Sequence, residues 1–549
     1  MPPDTKAATE TGPGTAVLLC QDLADPGMGL DLKQLRISLA AAFPGITVGV
    51  VPDLCGHLAH SLATHRGITR AVLGLCSGEY SPVELQAGAR KAGLDPFGVE
   101  VVPLGTWCAK VHPKPEAIRK AGRLLTAAVA RAQAYPESGP EHAKPYFLSR
   151  GQKLSRRSLF TLPPMAYRPV PSVRGEACVA EAGCQLCANA CPRDALRKMG
   201  GHMALDKARC EGCGICLAVC PRDAINFPGW SLAQMEAQLG AILSPASADR
   251  PLGLLLACQK AMSTLEEMAG QGLSYSHHWM PVAVPCLGMA TPTWAIQALA
   301  HGAETLALLS CGADCPFGQE QAIGGMANFC RRLLRLMGQD PEQVRVFNAG
   351  DPQRLLQALQ QPPPQRRDRC RGQLREPLRL GSVEAAFASM KHLAGEKAEV
   401  SGLVLEHPYS PFGVVELRSE GCTGCLACAP ACPTGALASE RGGDGVTITY
   451  LASSCIGCGI CAEVCPEKEA GVLRVRQMTS WDALSRGRAV LYRDQLVTCE
   501  GCGASIASRA LLQRLEASLE GSEPLRTALS RYCPSCRFTF ALGVKPSSF

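Results

Sequence analysis

The stretch CEGCGICLAVCP, Cys210 to Pro221, spaces its cysteines as C-x₂-C-x₂-C-x₃-C and closes on proline. Three thiolates at that spacing wrap one iron–sulfur cube, and the cysteine before the proline reaches a neighbouring cube. The spacing returns in CTGCLACAPACP from Cys422 and in CIGCGICAEVCP from Cys455. A looser copy, CVAEAGCQLCANACP, starts at Cys178, with five residues between its first two cysteines. The copies fall in two close pairs, as a series of electron carriers requires. Cysteine knuckles also bind zinc, but the run of four with its trailing proline favours iron.

The rest of the chain must accommodate these runs. At 549 residues it is too long for one core and should form several domains. Hydrophobic residues make up 46% and aromatic ones only 5%, so the cores should be rich in Ala, Leu and Val. A net charge of +7 is mild for this length, and no basic run with interleaved aromatics points to nucleic acid. Its 30 cysteines do not suit a disulfide scaffold, which would be small and loop-rich. The start, MPPDTKAATETGPGT, lacks the charged-then-apolar pattern of a signal peptide. No apolar run reaches the roughly 18 residues of a membrane span. A cytoplasmic protein is therefore expected. SRRSLF, Ser155 to Phe160, has the look of a twin-arginine signal, but TLPPMAYRPVP behind it is no apolar h-region, so it reads as a basic linker.

Between the cysteine runs the pattern alternates strand and helix. Thr15–Cys20, Ile46–Val51, Thr69–Cys76 and Val99–Leu104 read as strands. Asp31–Phe43 reads as an amphipathic helix, and Ser81–Gly93 as a helix with a Ser cap, Pro at N1 and a closing Gly. This predicts a small parallel α/β sheet. Cys20, Cys55, Cys76 and Cys108 fall just past its strands, where α/β sheets gather ligands. They read either as a convergent ligand set or as small buried thiols. A second segment repeats the first: PLGLLLACQK from Pro251, VAVPCLG from Val282, ETLALLSCGADC from Glu304 and VRVFNA from Val344. Cys258, Cys286 and Cys311 then correspond to Cys20, Cys55 and Cys76, while Cys315 corresponds to Tyr80. The last segment carries CEGC at Cys499 and CPSC at Cys533, separated by a helical ASIASRALLQRLEASL. Cys499, Cys502, Cys533 and Cys536 suit zinc or iron. Cys370 stands alone in an arginine-rich linker and reads as no ligand.

The four-cysteine runs resemble the two-cluster bacterial ferredoxins. That resemblance implies four [4Fe–4S] clusters, held by Cys178, Cys184, Cys187 and Cys220; by Cys210, Cys213, Cys216 and Cys191; by Cys422, Cys425, Cys428 and Cys465; and by Cys455, Cys458, Cys461 and Cys432. The stretch VPCLGMATPTWAIQALAHGAETLALLSCGADCPFG is similar to the iron–sulfur (delta) subunit of methyl-viologen-reducing hydrogenases. Those proteins pass electrons between a hydrogenase or formate dehydrogenase and heterodisulfide reductase. The likeness implies a [2Fe–2S] cluster on Cys258, Cys286, Cys311 and Cys315, although Gln259 and Lys260 stand where the family usually carries a further cysteine.

The expected architecture is multidomain, α/β plus α+β. Two parallel α/β domains (15–135 and 245–358) alternate with two ferredoxin-like domains (176–228 and 415–478). A tail (1–14), linkers (136–175 and 359–414) and a cysteine-knuckle segment (486–549) complete the chain. No G-x-G-x-x-G or G-x-x-x-x-G-K-[ST] motif supports flavin, nicotinamide or nucleotide binding. His202, His277, His278 and His301 read as ordinary core or surface residues, and no catalytic residue is singled out. The expectation is an electron-transfer subunit in a hetero-oligomeric complex. It would link a hydrogenase, a formate dehydrogenase or another molybdenum oxidoreductase to a second redox partner. The alternatives are a heterodisulfide-reductase-like enzyme and a redox sensor or cluster carrier.

Overall fold

The computed structural model describes residues 14–65, 67–135, 143–145, 166–244, 250–364, 374–395, 400–442, 445–519 and 523–541. The proline-rich tail, the pair Arg156–Arg157 and Cys370 lie outside the described residues. The chain divides into two compact units, and each is taken by itself. The first comprises Met1–Ala177, Cys187–Arg197 and Met203–Ala398; the second comprises Cys178–Leu186, Lys198–His202 and Glu399–Phe549.

In the first unit, strand β1 (Gly14–Cys20) is buried along almost its whole length. Such a continuous apolar run suits a parallel sheet covered on both faces. It lies between β2 (Thr47–Val51) and β3 (Ile68–Leu75), with β4 (Val99–Pro103) on the far edge, all parallel in the order β2-β1-β3-β4. Helix α1 is Leu32–Ala42, started by the Asp31 carboxylate accepting from Gln34 N. Helix α2 (Pro82–Lys91) starts at Ser81, whose hydroxyl accepts from Glu84 N at 3.3 Å, with Pro82 in the first turn. The long helix α3 (Lys114–Gln133) packs against α4 (Leu232–Leu243).

The second α/β segment of this unit has the same topology. Strand β5 (Gly253–Cys258) lies between β6 (Trp279–Val284) and β7 (Thr305–Ser310), with β8 (Val344–Asn348) outermost, all parallel in the order β6-β5-β7-β8. In both sheets the order reverses at the first strand. The crevice beyond the carboxyl ends of the first and third strands is thus the natural ligand site. Cys20 and Cys258 end the first strands, and Cys76 and Cys311 directly follow the third ones.

The second unit is built from antiparallel strands. One sheet pairs β9 (Val404–Glu406) and β10 (Gly413–Leu417) with a common partner, β13 (Leu473–Ser480). The other runs β11 (Leu437–Gly442), β12 (Gly445–Leu451), β14 (Arg488–Thr498) and β15 (Ser505–Ser508). Along β12 burial alternates: Val446, Ile448 and Tyr450 are buried while their neighbours are half-buried. Because β14 pairs with β12, the ferredoxin hairpin and the C-terminal cysteine segment share one sheet. The helix expected over ASIASRALLQRLEASL begins only at Arg509. Its first residues instead form β15, with Ser508 opposite Leu496 and Ala507 opposite Val497. The turn at Cys499–Gly503 returns the chain alongside β14, whose free backbone groups take it as an edge strand.

Candidate iron–sulfur and metal centres

In the second α/β segment, Cys258, Cys286, Cys311 and Cys315 face one another. The Cys311 thiol hydrogen-bonds those of Cys258 and Cys315, and Cys315 in turn meets Cys286. Gly312 sits between the last two in the left-handed region at φ +65°, and its N–H bonds the Ser310 hydroxyl at 3.0 Å. Burial and then the charge of Cys258 push the Cys311 thiol up to about 12. Burial works against Cys315 as well, yet the N–H groups of Gln319 and Phe317 and the Cys311 and Cys286 thiols bring it below its ordinary value. Gln319 N donates to the Cys315 sulfur at 3.4 Å, and Gly288 N to Cys286 at 3.4 Å. N–H groups aimed at sulfur are what a metal-bound thiolate needs around it.

Next to this group lies the CEGCGICLAVCP loop. Cys210 and Cys216 are buried and Cys213 is half-buried, with Cys191 completing the group. Burial, then the charges of Cys210 and Cys191, hold Cys213 at about 11. Gly212 N donates to Cys210 at 3.4 Å and Ala195 N to Cys191 at 3.3 Å. Gly214, at φ +78°, starts the short helix Ile215–Ala218. The Met289 side chain fills the space that a Cβ at Gly214 would occupy, with its Cγ 2.9 Å from that position. The Ile215 side chain comes equally close, 2.9 Å, to a Cβ built on Gly288. Arg193 donates to the Pro316 carbonyl at 2.8 Å and lies over the Phe317 ring at 5.7 Å. Cys213 is near enough to Cys286 for its charge to raise that thiol. The two cysteine groups are therefore immediate neighbours.

In the second unit a small cavity of about 20 Å³ is lined by Cys422, Cys425, Cys428 and Cys465, among other residues. Cys432 acts instead on Cys455, Cys458 and Cys461. The last cysteine of each run thus stands with the other run's first three. Burial and neighbouring thiolates push Cys428 and Cys461 up to about 12. A side chain at Gly413 would strike the backbone of Gly457 and come within 3.2 Å of the Cys455 sulfur. Tyr450 donates to the Gly413 carbonyl at 2.8 Å and Tyr492 to the Cys422 carbonyl at 2.9 Å, bracing both loops. Cys184 is close enough to Cys458 to raise it, and Gly183 lies beside Ile460. Of the remaining set, Cys178 and Cys184 belong to the second unit and Cys187 and Cys220 to the first.

Two groups are tighter. The sulfurs of Cys499, Cys502, Cys533 and Cys536 all lie within 4.8 Å of one another. Cys533 N and Gly501 N donate to the Cys499 sulfur at 3.2 and 3.4 Å. Burial opposes ionisation there, but these N–H groups bring the Cys499 thiol down to about 6. Cys20, Cys55 and Cys76 form the second tight group, also within 4.8 Å. Cys108, grouped with them as a ligand candidate from sequence, faces elsewhere. The turn Gly105–Ala109 is a π-helix that carries its thiol into the core beside Lys120, and burial raises it to about 12.

Lys120 itself escaped the sequence reading. It is fully buried, 2.9 Å from His112 Nε2 and 3.0 Å from the Tyr275 hydroxyl. Burial brings its amine down to about 7 and the His112 imidazole to about 2. Its spacing against Ala117, Ala121 and Leu124 on the apolar face of α3 was the available signal.

Comparison with known families places names beside this geometry. The family described as methyl-viologen-reducing hydrogenase, delta subunit, matches residues 254–361, which carry Cys258, Cys286, Cys311 and Cys315. A 4Fe–4S dicluster domain matches residues 421–470, and a 4Fe–4S binding domain matches residues 203–226. The chain thus joins a delta-subunit-type domain to ferredoxin-type domains. Among curated proteins none matches the chain. No helix among the described residues is long and apolar enough to cross a membrane.

Proposed function

We propose that this chain is a cytoplasmic electron-transfer subunit relaying single electrons between a catalytic partner and a second redox protein. The iron–sulfur domains and the delta-subunit-type domain support an electron-transfer role. The observation that carries the relay is adjacency: Cys213 stands beside Cys286 in the first unit, and Cys184 beside Cys458 in the second. In this reading, four [4Fe–4S] clusters occupy the sets built on Cys178, Cys210, Cys422 and Cys455, and a [2Fe–2S] cluster is held by Cys258, Cys286, Cys311 and Cys315. Bound there, the clusters supply reversible one-electron couples. The chain's own contribution is the thiolates, the N–H donors that tune them, and an apolar surround that keeps water from the sulfurs. Cys499, Cys502, Cys533 and Cys536 would hold one metal ion, zinc in this reading, which would staple the C-terminal segment.

The delta-subunit family suggests the partners: a hydrogenase, formate dehydrogenase or other molybdenum oxidoreductase on one side and a heterodisulfide-reductase-like protein on the other. Protein-film voltammetry of the anaerobic chain tests the function. The account expects reversible waves that added disulfides leave unchanged. A catalytic current with a disulfide substrate, in the absence of partner subunits, would show an enzyme instead.

A further inference from the structure

The first α/β segment lies outside the residue ranges given for those families, and it gathers three thiols at the crevice of its sheet. Cys20 ends the buried strand β1 and is itself fully buried. Cys55 is presented by the loop after β2. There Asp53 adopts a left-handed φ of +44°, accepts from Gly56 N at 3.2 Å and pairs with His57 at 2.9 Å. Cys76 follows β3, and the backbone at Gly105 passes so close that any side chain there would land on the Cys76 carbonyl. Three separate constraints thus bring the thiols together. The Cys55 and Cys76 sulfurs are 2.7 Å apart, and Cys76 N donates to Cys55 at 3.3 Å.

Sulfur spacing separates the classes of metal centre. Thiolates on one tetrahedral zinc, with bonds of about 2.3 Å, lie about 3.8 Å from each other. Thiolates of a [4Fe–4S] cube sit on four different irons and so stand farther apart. Among the described residues, only the Cys20 group and the Cys499 group have all their sulfurs within 4.8 Å. The ferredoxin-type cysteines and Cys258, Cys286, Cys311 and Cys315 form no such tight group among the described residues. The Cys20 group is therefore too tight for a cube and is gathered closely enough for one metal ion, which would part the Cys55 and Cys76 sulfurs from their 2.7 Å contact. It differs from the Cys499 group in one respect: it has three thiols rather than four. Tyr80 stands where the second sheet has Cys315, and Cys108 points to Lys120.

We propose that Cys20, Cys55 and Cys76 bind one zinc ion through three thiolates, leaving its fourth position to a ligand from solution. Binding releases the three thiol protons. Cys55 and Cys76 are only half-buried, so the open position faces solvent. A three-ligand zinc with an exchangeable fourth position is the arrangement of reactive zinc centres, whereas four protein ligands make a structural one.

The test uses the full chain purified anaerobically, with zinc and iron measured together. Cys55→Ser should remove about one zinc per chain and leave iron unchanged, as expected for a mononuclear thiolate site. Cys502→Ser should remove a separate equivalent from the C-terminal site, so that the two losses add. Unchanged iron also shows that the rest of the variant has folded. A second measurement needs no variant: in the native protein, Cys55 and Cys76 should resist iodoacetamide until a zinc chelator is added, and then label together. Loss of iron rather than zinc in Cys55→Ser overturns the proposal. So does zinc that does not change, labelling before chelation, or a Cys55–Cys76 disulfide in the anaerobic protein. Voltammetry of the iron–sulfur couples is independent of all these outcomes, so this proposal and the relay can fail separately.

Discussion

Gly214→Ala puts the contact between the ferredoxin loop and the delta-subunit-type domain to a quantitative test. Gly214 has φ +78°, where an alanine costs about 1–2 kcal/mol. The new Cβ also enters the space of the Met289 side chain, and overpacking of this kind costs about 1–3 kcal/mol. The variant should therefore be destabilised by about 2–5 kcal/mol. Gly93 offers the matched control, since it has φ +80° with nothing within 4 Å of its Cβ position. Gly93→Ala should cost only the backbone part, about 1–2 kcal/mol. Met289 is fully buried, so Met289→Ala alone should cost about 2–5 kcal/mol. It also opens the space the alanine needs, so the double variant should be less damaged than the sum of the singles by about 1–3 kcal/mol. Anaerobic calorimetry of the four proteins gives the coupling. Additivity within about 0.5 kcal/mol would refute the contact, and with it the adjacency of Cys213 and Cys286 on which the relay depends.

Lys120 makes stability depend on pH. Its amine lies at about 7 in the folded protein, below the ordinary 10.5, because of burial. The unfolded chain therefore takes up a proton that the folded one does not, and stability falls as pH drops from 10.5 towards 7. Lys120→Met should flatten that slope in thermal melts across the same window, and an unchanged slope would clear Lys120 of the effect. Gly413→Ala should disturb the Cys455 loop, because its Cβ meets the Gly457 backbone rather than a movable side chain. About one cube's iron, four atoms, should be lost while the other cubes survive; full iron would show that the loop yields. Cys502→Ser should weaken the C-terminal segment, and mild proteolysis should cut after β14 in the variant but not in the parent. Equal cutting of both would mean that no metal staples it.

The iron–sulfur character was legible because the ligands of a ferredoxin-type loop are neighbours in sequence. The same is true of Cys20, Cys258 and Cys311: a buried run of Val, Leu and Ala marks a parallel strand, and the cysteine marks its end. Tertiary facts were not legible. Nothing local says that a π-turn swings Cys108 away from Cys20, Cys55 and Cys76. The edge strand Ser505–Ser508 is made by its partner β14, against a sequence that reads as helix. The contact of Met289 with Gly214 links residues 75 positions apart in the numbering of the chain. It follows from how two domains pack, which no motif encodes.

The most direct measurement is the Mössbauer spectrum of the anaerobic, ⁵⁷Fe-enriched chain, with iron quantified per polypeptide. The relay predicts about eighteen irons, sixteen in four cubes and two in a [2Fe–2S] pair, hence a cube-to-pair area ratio of about eight to one. Fewer than about twelve irons, or a spectrum without the cube component, would contradict it.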